Sequence, residues 1–440
     1  MLRRRHLAQA QAARPPEGGE EAHEADRARR GPPGGIRGGA HPRRLRGRVD
    51  AGTVAPGPGP RPGPGVYVHV PFCASRCDYC AFATWTDRGH LMEAYVDACV
   101  ADVRRRVADG MVDAATVYVG GGTPSLLPAP ALARILDAIP RRADAEVTVE
   151  ANPDSVDAAK LQVYRDHGVT RVSLGVQSTR AHVLAALGRT HDRANVDRAV
   201  AAVVGAGIAS FNLDVIAGAD GESDADFDAT LTDVLGFAPP HVSVYGLMVE
   251  PGTALERRVA AGDCAPPDPD VQADRHLRAD ARLTGAGLGW YEVSNWARPG
   301  HECRHNQGYW SGEECVAIGA AAHGYTDGER WWNTPRPERY VARIGAGRSP
   351  VAGRERPDVA AAALDRFALA LRTRVGAPLA DADPGALGEL AAAGLLDVVG
   401  DRVVLRPAGR LLASEVTRRL LPTPGRADDR IGTRYIGVPG

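Results

Sequence analysis

The stretch "YVHVPFCASRCDYCAFATW", Tyr67 to Trp85, decides how the rest of the chain is read. Three cysteines, Cys73, Cys77 and Cys80, follow one another as C-x3-C-x2-C, and the next residues are Ala81 and Phe82 rather than a fourth cysteine. Alternating "VYVHV" before them predicts a strand, so the thiols lie on the loop that leaves it. Thiolates are soft ligands for zinc, copper(I) and iron–sulfur clusters. Structural zinc asks for a closed tetrahedral shell, and here only Cys77 and Cys80 have the spacing of a zinc pair. A cubane cluster held by three cysteines keeps one iron open to another ligand. At this point zinc and inert thiols stand beside the cluster as readings of the spacing.

The chain has 440 residues, which suits one large domain and a smaller one, and its net charge of −1 gives no sign of a polyanionic partner. No apolar run is of membrane-spanning length, and no apolar segment of signal-peptide length follows the N-terminal arginines. The expected location is the cytoplasm, where clustered cysteines point to metal or catalysis rather than disulfides. Residues 1–64, rich in Arg, Pro, Gly and Ala, are expected to be disordered because they bury too little apolar surface.

Downstream, strand patterns ("TVYVGGG", "EVTVEANP", "VTRVSLGVQS", "SFNLDVIAG", "HVSVYGL") alternate with helical ones ("HLMEAYVDACVADVRRRVADG", "PALARILDAIPRR", "VDAAKLQVYRDHG", "ANVDRAVAAVVGAG", "DFDATLTDVLGF"). Such alternation predicts right-handed βαβ units and an α/β fold with a parallel sheet, a full or partial barrel. An open doubly wound sheet is the rival, but "GGGTPS" fits neither the dinucleotide fingerprint nor a P-loop. On this frame Gly121, Gly122 and Thr123 follow the second strand, Glu150 ends the third, Gln177 the fourth, Asp214 lies near the end of the fifth, and Tyr245 and Gly246 on the sixth. All are expected at the C-terminal mouth, beside the cysteine loop, where barrel enzymes carry their chemistry.

These motifs, with Tyr79 just before the third cysteine, resemble the radical S-adenosylmethionine superfamily. "YVHVPFC", "GGGTPS", "VEANPDS", "SLGVQS", "NLDVIAG" and "SVYGLMVEPGTAL" are similar to the branch that contains oxygen-independent coproporphyrinogen III oxidase and its haem-chaperone relatives. The resemblance runs from about residue 64 to the C-terminus. It implies a partial (β/α)6 barrel over 65–332 and a small helical, winged-helix-like domain over 333–440. It implies that Cys73, Cys77 and Cys80 hold a [4Fe–4S] cluster whose open iron chelates S-adenosylmethionine, the source of a 5′-deoxyadenosyl radical. Tyr67, Gly121, Gly122, Thr123 and Glu150 are then expected against that cofactor. Gln177, Arg189 and Asp214, with Tyr79 and Gly246 near them, match positions lining a second S-adenosylmethionine site in the oxidase.

Within the branch, the oxidase usually has a further cysteine where this chain has Phe82, whereas the chaperones carry H-N-x-x-Y-W, here His305, Asn306, Tyr309 and Trp310. The resemblance therefore implies a haem chaperone, with haem as ligand, haem-accepting proteins as partners, and His305 as the haem-binding residue with Cys303 as its substitute. The alternative is coproporphyrinogen III oxidation. The resemblance also leaves a homodimer and transient membrane association through the acceptors among the readings. Two departures stand out: Ala217-Gly218-Ala219-Asp220 replaces the usual Y-G-L-P, and Ala81 replaces the usual Asp. Winged helices often bind DNA, but no basic stripe supports nucleic acid as a partner. His69, Cys99, Trp331 and Trp332 are expected to pack rather than bind.

Overall fold

A computed structural model describes residues 63–421, so the N-terminal tail expected over 1–64 lies outside the described residues except for its last two. The fold is mixed α/β around one large sheet. Strands β1 (Gly65–Val70), β2 (Ala114–Gly121), β3 (Arg141–Ala151), β4 (Arg171–Gln177), β5 (Ser210–Ala217) and β6 (His241–Gly246) run parallel and adjacent, in chain order. All six residues of β1 are buried, as expected where both faces of a parallel sheet are covered. The sheet continues through β7 (Gly289–Glu292), β8 (Asn295–Ala297), β9 (Cys315–Ile318), β10 (His323–Thr326), β11 (Glu329–Asn333) and β12 (Val351–Glu355), in the order β12-β11-β10-β9-β1-β2-β3-β4-β5-β6-β8-β7. β9 returns to pair parallel with β1, Gly65 opposite Cys315, while the outer pairings are antiparallel.

The intervening helices start where side chains accept from otherwise orphaned N–H groups: Asp157 from Lys160, Asp192 from Asn195 and Ser223 from Asp226, the last two as capping boxes. They pack on a core of Val68, Val117, Val149, Leu132, Leu136 and Leu213. Cys99 and Trp331 are buried, and His69 is packed between the Tyr67 hydroxyl and the Ala83 carbonyl.

Three sequence expectations are corrected. The helix read over "PALARILDAIPRR" ends at Ala138, and Arg141 already opens β3. Pro140 pushes Ile139 into extended backbone (φ −84°, ψ 114°), which stops the helix. "GALGELAAAGLLDVV" is not one helix: it is helical over Pro384–Ala392, turns at Gly394 (φ +73°) and becomes the strand Leu396–Val399. The boundary expected after residue 332 also moves, because β12 still pairs with β11 and Tyr340, on the helix between them, donates to the buried Asp102.

Beyond β12, residues 359–421 build a second core around Phe367, Leu371, Leu390, Val403, Val416 and Leu420, with a small three-stranded sheet. This unit is tied to the large sheet. Val293 N–H donates to Arg372 O, Arg374 N–H to Tyr291 O, and Arg410 pairs with Asp280 while stacking over Trp290. Among the described residues no helix is long and apolar enough to cross a membrane.

Candidate cofactor and ligand cavity

The loop after β1 is held on three sides. Cys73 N–H donates to Trp85 O and Trp85 N–H to Pro71 O, which folds the loop back on itself. Asp78 accepts from Arg258 at 2.8 Å, its N–H donates to Leu187 O, and its carbonyl accepts from Leu255 N–H. No sequence motif signals this anchoring role for Asp78. The thiols of Cys73, Cys77 and Cys80 face one cavity of ≈ 260 Å³. Thr123 Oγ1 lies 3.6 Å from Cys73 Sγ, and Arg189 Nη1 lies 3.4 Å from Cys77 Sγ.

Of the residues singled out from the sequence, Tyr79, Gly121, Gly122, Thr123, Glu150, Gln177, Arg189, Asp214 and Gly246 line this same cavity. The strand order brings them together: each stands at or near the C-terminal end of a neighbouring parallel strand or on a loop beside it. Gly122 is required by close approach, since a Cβ there would meet Phe72 O at 2.6 Å, Val70 O at 2.9 Å and Cys73 Sγ at 3.0 Å. Gln177, in the cavity lining, holds a left-handed backbone (φ +63°), unusual for a residue with a side chain, and its Oε1 is buried without a hydrogen bond. Thr148 Oγ1 and Arg189 Nε in the same lining are also buried without a hydrogen bond. Buried polar atoms left unpaired around a cavity fit a polar ligand that completes them.

The donor set fits an iron–sulfur cluster better than a single ion. Among the described residues no three His, Cys, Asp or Glu side chains converge on one metal position. A cubane needs no such convergence, because each thiolate meets a different iron. Burial pushes the Cys80 thiol up to about 11 and raises Cys73 as well, so a bound cation would have to draw these protons off.

Glu150 accepts from Tyr118 Oη at 2.8 Å and from Gly121 N–H at 3.1 Å. Burial nevertheless pushes its carboxyl up to about 7; the two hydrogen bonds oppose the rise and the nearby Asp214 charge adds to it. A folded-state value above the ordinary 4.5 means that the native state holds the proton more tightly than the unfolded chain. The related stability is complete below 4.5 and is lost as pH rises through 7. In cofactor-free protein, Glu150→Gln should therefore be more stable than the parent at pH 8, by about 1–3 kcal/mol, and nearly equal to it at pH 4. Urea midpoints at both pH values check this; equal differences at the two values would contradict it.

The cavity continues along the sheet to a polar floor near the N-terminal ends of β4, β5 and β6. Asn212 donates to Ser173 and Asp214, and accepts from Ser243. His241 bridges Asn212 Oδ1 and Tyr291 Oη. Ser243 continues to Asn295, Asn295 to Glu292, and Glu292 to Arg372 of the C-terminal unit, with Nη2 at 2.6 Å and Nε at 2.9 Å. Arg171, Asn212, His241, Ser243, Asn295, Glu292, Leu369 and Arg372 all reach the cavity and had no signal in the sequence.

The His305 motif closes this lower end. It opens the helix Arg304–Ser311, whose first N–H groups, Arg304 and His305, donate to the Glu146 carboxylate. Cys303, Asn306, Tyr309 and Trp310 face the cavity. His305 does not. It is buried behind Tyr118, with Nδ1 2.8 Å from Thr116 Oγ1 and Nε2 3.1 Å from Tyr309 Oη. Both ring nitrogens are thus occupied, and burial lowers the imidazole to about 3. The expectation that His305 meets the ligand is not matched by this arrangement; Cys303, named as its substitute, is the one that reaches the cavity. Tyr67 is likewise displaced from its expected place: it stacks behind Tyr118 with ring centroids 6.3 Å apart and donates no group to the lining.

The pattern described as the Radical SAM superfamily matches residues 67–234. The "Heme chaperone HemW" of Mycobacterium tuberculosis is 45% identical over 369 residues, covering 81% of this chain and 94% of the relative. That of Bacillus subtilis is 30% identical over 367 residues, covering 80% of this chain and 97% of the relative. The solved structure of coproporphyrinogen III oxidase (HemN) from Escherichia coli superimposes with a TM-score of 0.71 at 22% identity, over 81% of this chain and 90% of that one.

Proposed function

We propose that this chain, which belongs to the radical S-adenosylmethionine superfamily and within it to the family of the haem chaperone HemW, binds haem and passes it to acceptor haemoproteins. The observation that carries the reading is the cavity itself. One end is lined by three thiols and the other by the aromatic Cys303–Trp310 segment, so a cluster and a flat ligand have distinct walls. Cys73, Cys77 and Cys80 would hold a [4Fe–4S] cluster, and the chemistry it would supply is one-electron reduction of S-adenosylmethionine. Gly121 and Gly122 let that molecule approach the backbone, Thr123 lies beside it, and Glu150 accepts from its polar groups. Gln177, Arg189 and Asp214, with Tyr79 and Gly246, offer the polar lining for a second such molecule. Tyr309 and Trp310 give a porphyrin flat surfaces to lie on.

On this reading the large sheet curls into a partial (β/α)6 barrel, and residues 359–421 form a winged-helix-like cover whose Leu369 and Arg372 complete the cavity wall. The partners are haem-accepting proteins, and the setting is the cytoplasm. Phe82, in place of the oxidase's additional cysteine, argues against porphyrinogen decarboxylation.

The test is made on anaerobically reconstituted protein. Titration with haem should give a saturable Soret band, and an apo-haemoprotein added afterwards should take the haem up. With reductant, S-adenosylmethionine and coproporphyrinogen III, no vinyl product should form above background. Vinyl products would make the chain an oxidase and sink the chaperone reading.

A further inference from the structure

The cavity floor contains a cation that the mechanism above does not use. Arg171, the first residue of β4, is 3% exposed and lines the cavity. Its Nη1 donates to two neutral partners, Ser210 Oγ at 3.0 Å and His301 O at 2.9 Å. Nε and Nη2 make no hydrogen bond among the described residues. The neighbouring acids favour its charged form but spend their hydrogen bonds elsewhere: Glu146 accepts from Cys303 Sγ, Arg304 N–H and His305 N–H, and Asp214 accepts from Asn212 and Ser173. The cavity's lower cation, Arg372, is already neutralised by Glu292. Arg171 is therefore a guanidinium in the cavity wall that has acids near it, hydrogen-bonds only to uncharged groups, and keeps Nε and Nη2 without a hydrogen-bond partner among the described residues.

Donors left free in a cavity wall are completed by a ligand's acceptor. A planar guanidinium with donors to spare matches a carboxylate in geometry as well as charge. The surrounding floor supplies further polar neighbours in Asn306, Asn212 and His241, all part of the same lining.

We infer that Arg171 is an anchor for a carboxylate of the bound ligand, set at the foot of the cavity and opposite the end that carries the thiols. The inference rests on the haem reading above and deepens it: the carboxylates are the propionates of haem, and Arg171 sets which edge of the porphyrin points down. The aromatic side chains Tyr309 and Trp310 then meet the ring face while its acidic edge is held below.

The experiment compares the reconstituted protein's affinity for haem and for haem dimethyl ester, which keeps the ring and the iron but has no free carboxylate. The parent should bind the ester about ten- to hundredfold more weakly, the range of one lost charge-assisted hydrogen-bonded pair. Arg171→Gln should weaken haem binding to the level of the ester and remove the preference, while Arg171→Lys should keep part of it. Because Arg171 also fastens Ser210 and His301, melting curves and iron content accompany each variant; if Arg171→Gln does not fold, the parent's ratio and Arg171→Lys decide. Equal affinity of the parent for haem and its ester would overturn the anchor and leave haem binding standing, as would a preference that survives in Arg171→Gln. Failure of the parent to bind either porphyrin would overturn both the anchor and the haem reading.

Discussion

Arg372→Met is expected to lower the unfolding free energy by about 3–5 kcal/mol, the range for removing one partner of a buried ion pair. The Glu292 side chain is 2% exposed and that of Arg372 8% exposed. The methionine would fill much of the space but leave the Glu292 carboxylate buried with only Ser294 N–H and Asn295 Nδ2 as donors. The loss should come from that orphaned charge. Adding Glu292→Gln to Arg372→Met should therefore restore a large part of it, since the two sites share one interaction. Urea unfolding of the two single variants and the double variant measures the effect. A loss below about 1 kcal/mol in Arg372→Met, the range of exposed ion pairs, would show that the pair is solvated.

The second large effect falls on the thiol end. Gly122→Ala is expected to destabilise the protein by about 1–3 kcal/mol through overpacking. It should also cost the cluster. Two of the three close contacts of the added methyl are backbone oxygens, Phe72 O and Val70 O, which cannot rotate away; the third is Cys73 Sγ itself. Relief moves the loop that carries the thiol, so iron and sulfide content after reconstitution should fall well below the parent's. Gly205→Ala is the control: it ends the helix Arg193–Gly205 and meets nothing within 4 Å. It should load iron normally and be neutral or slightly stabilised. Normal iron content in Gly122→Ala would contradict the assigned cradle.

The thiol end was legible because its information is local. Cys73, Cys77 and Cys80 share one loop, and the strands that deliver Gly121, Glu150, Gln177 and Asp214 are short apolar runs whose order in the sheet follows their order in the chain. The floor was not legible. Glu292 and Arg372 meet across 80 residues, and Arg171 meets the His301 carbonyl across 130. No periodicity announces such pairs. His305 was misplaced for a related reason: a motif names residue types but not the end of the sheet on which its helix docks. That docking is settled by Glu146 at the helix start and by Thr116, both on strands far upstream. Tyr67, expected against the cofactor from the resemblance alone, instead stacks on Tyr118 within a strand whose residues are all buried. The helix ends at Ile139 and Gly394, by contrast, were signalled by Pro140 and by the glycine itself, and were overrun by reading hydrophobic period alone.

The Glu146 cap also has a temporal meaning. Its hydrogen bonds to Arg304 and His305 span 158 and 159 residues, whereas each parallel pairing from β1 to β6 joins strands consecutive in the chain. Long closures cost more chain entropy and form later than short ones. As the chain leaves the ribosome, β1 to β6 can pair in order, but the thiol loop is not fully anchored until Arg258 reaches Asp78, 180 residues upstream. The floor seals only when residues 301–310 return to the first strands, and the wall only when Arg372 reaches Glu292. Both ends of the cavity thus wait on distant residues, the thiol loop on Arg258 and the floor on residues 301–310 and Arg372, so the cavity is completed only after the strands that frame it.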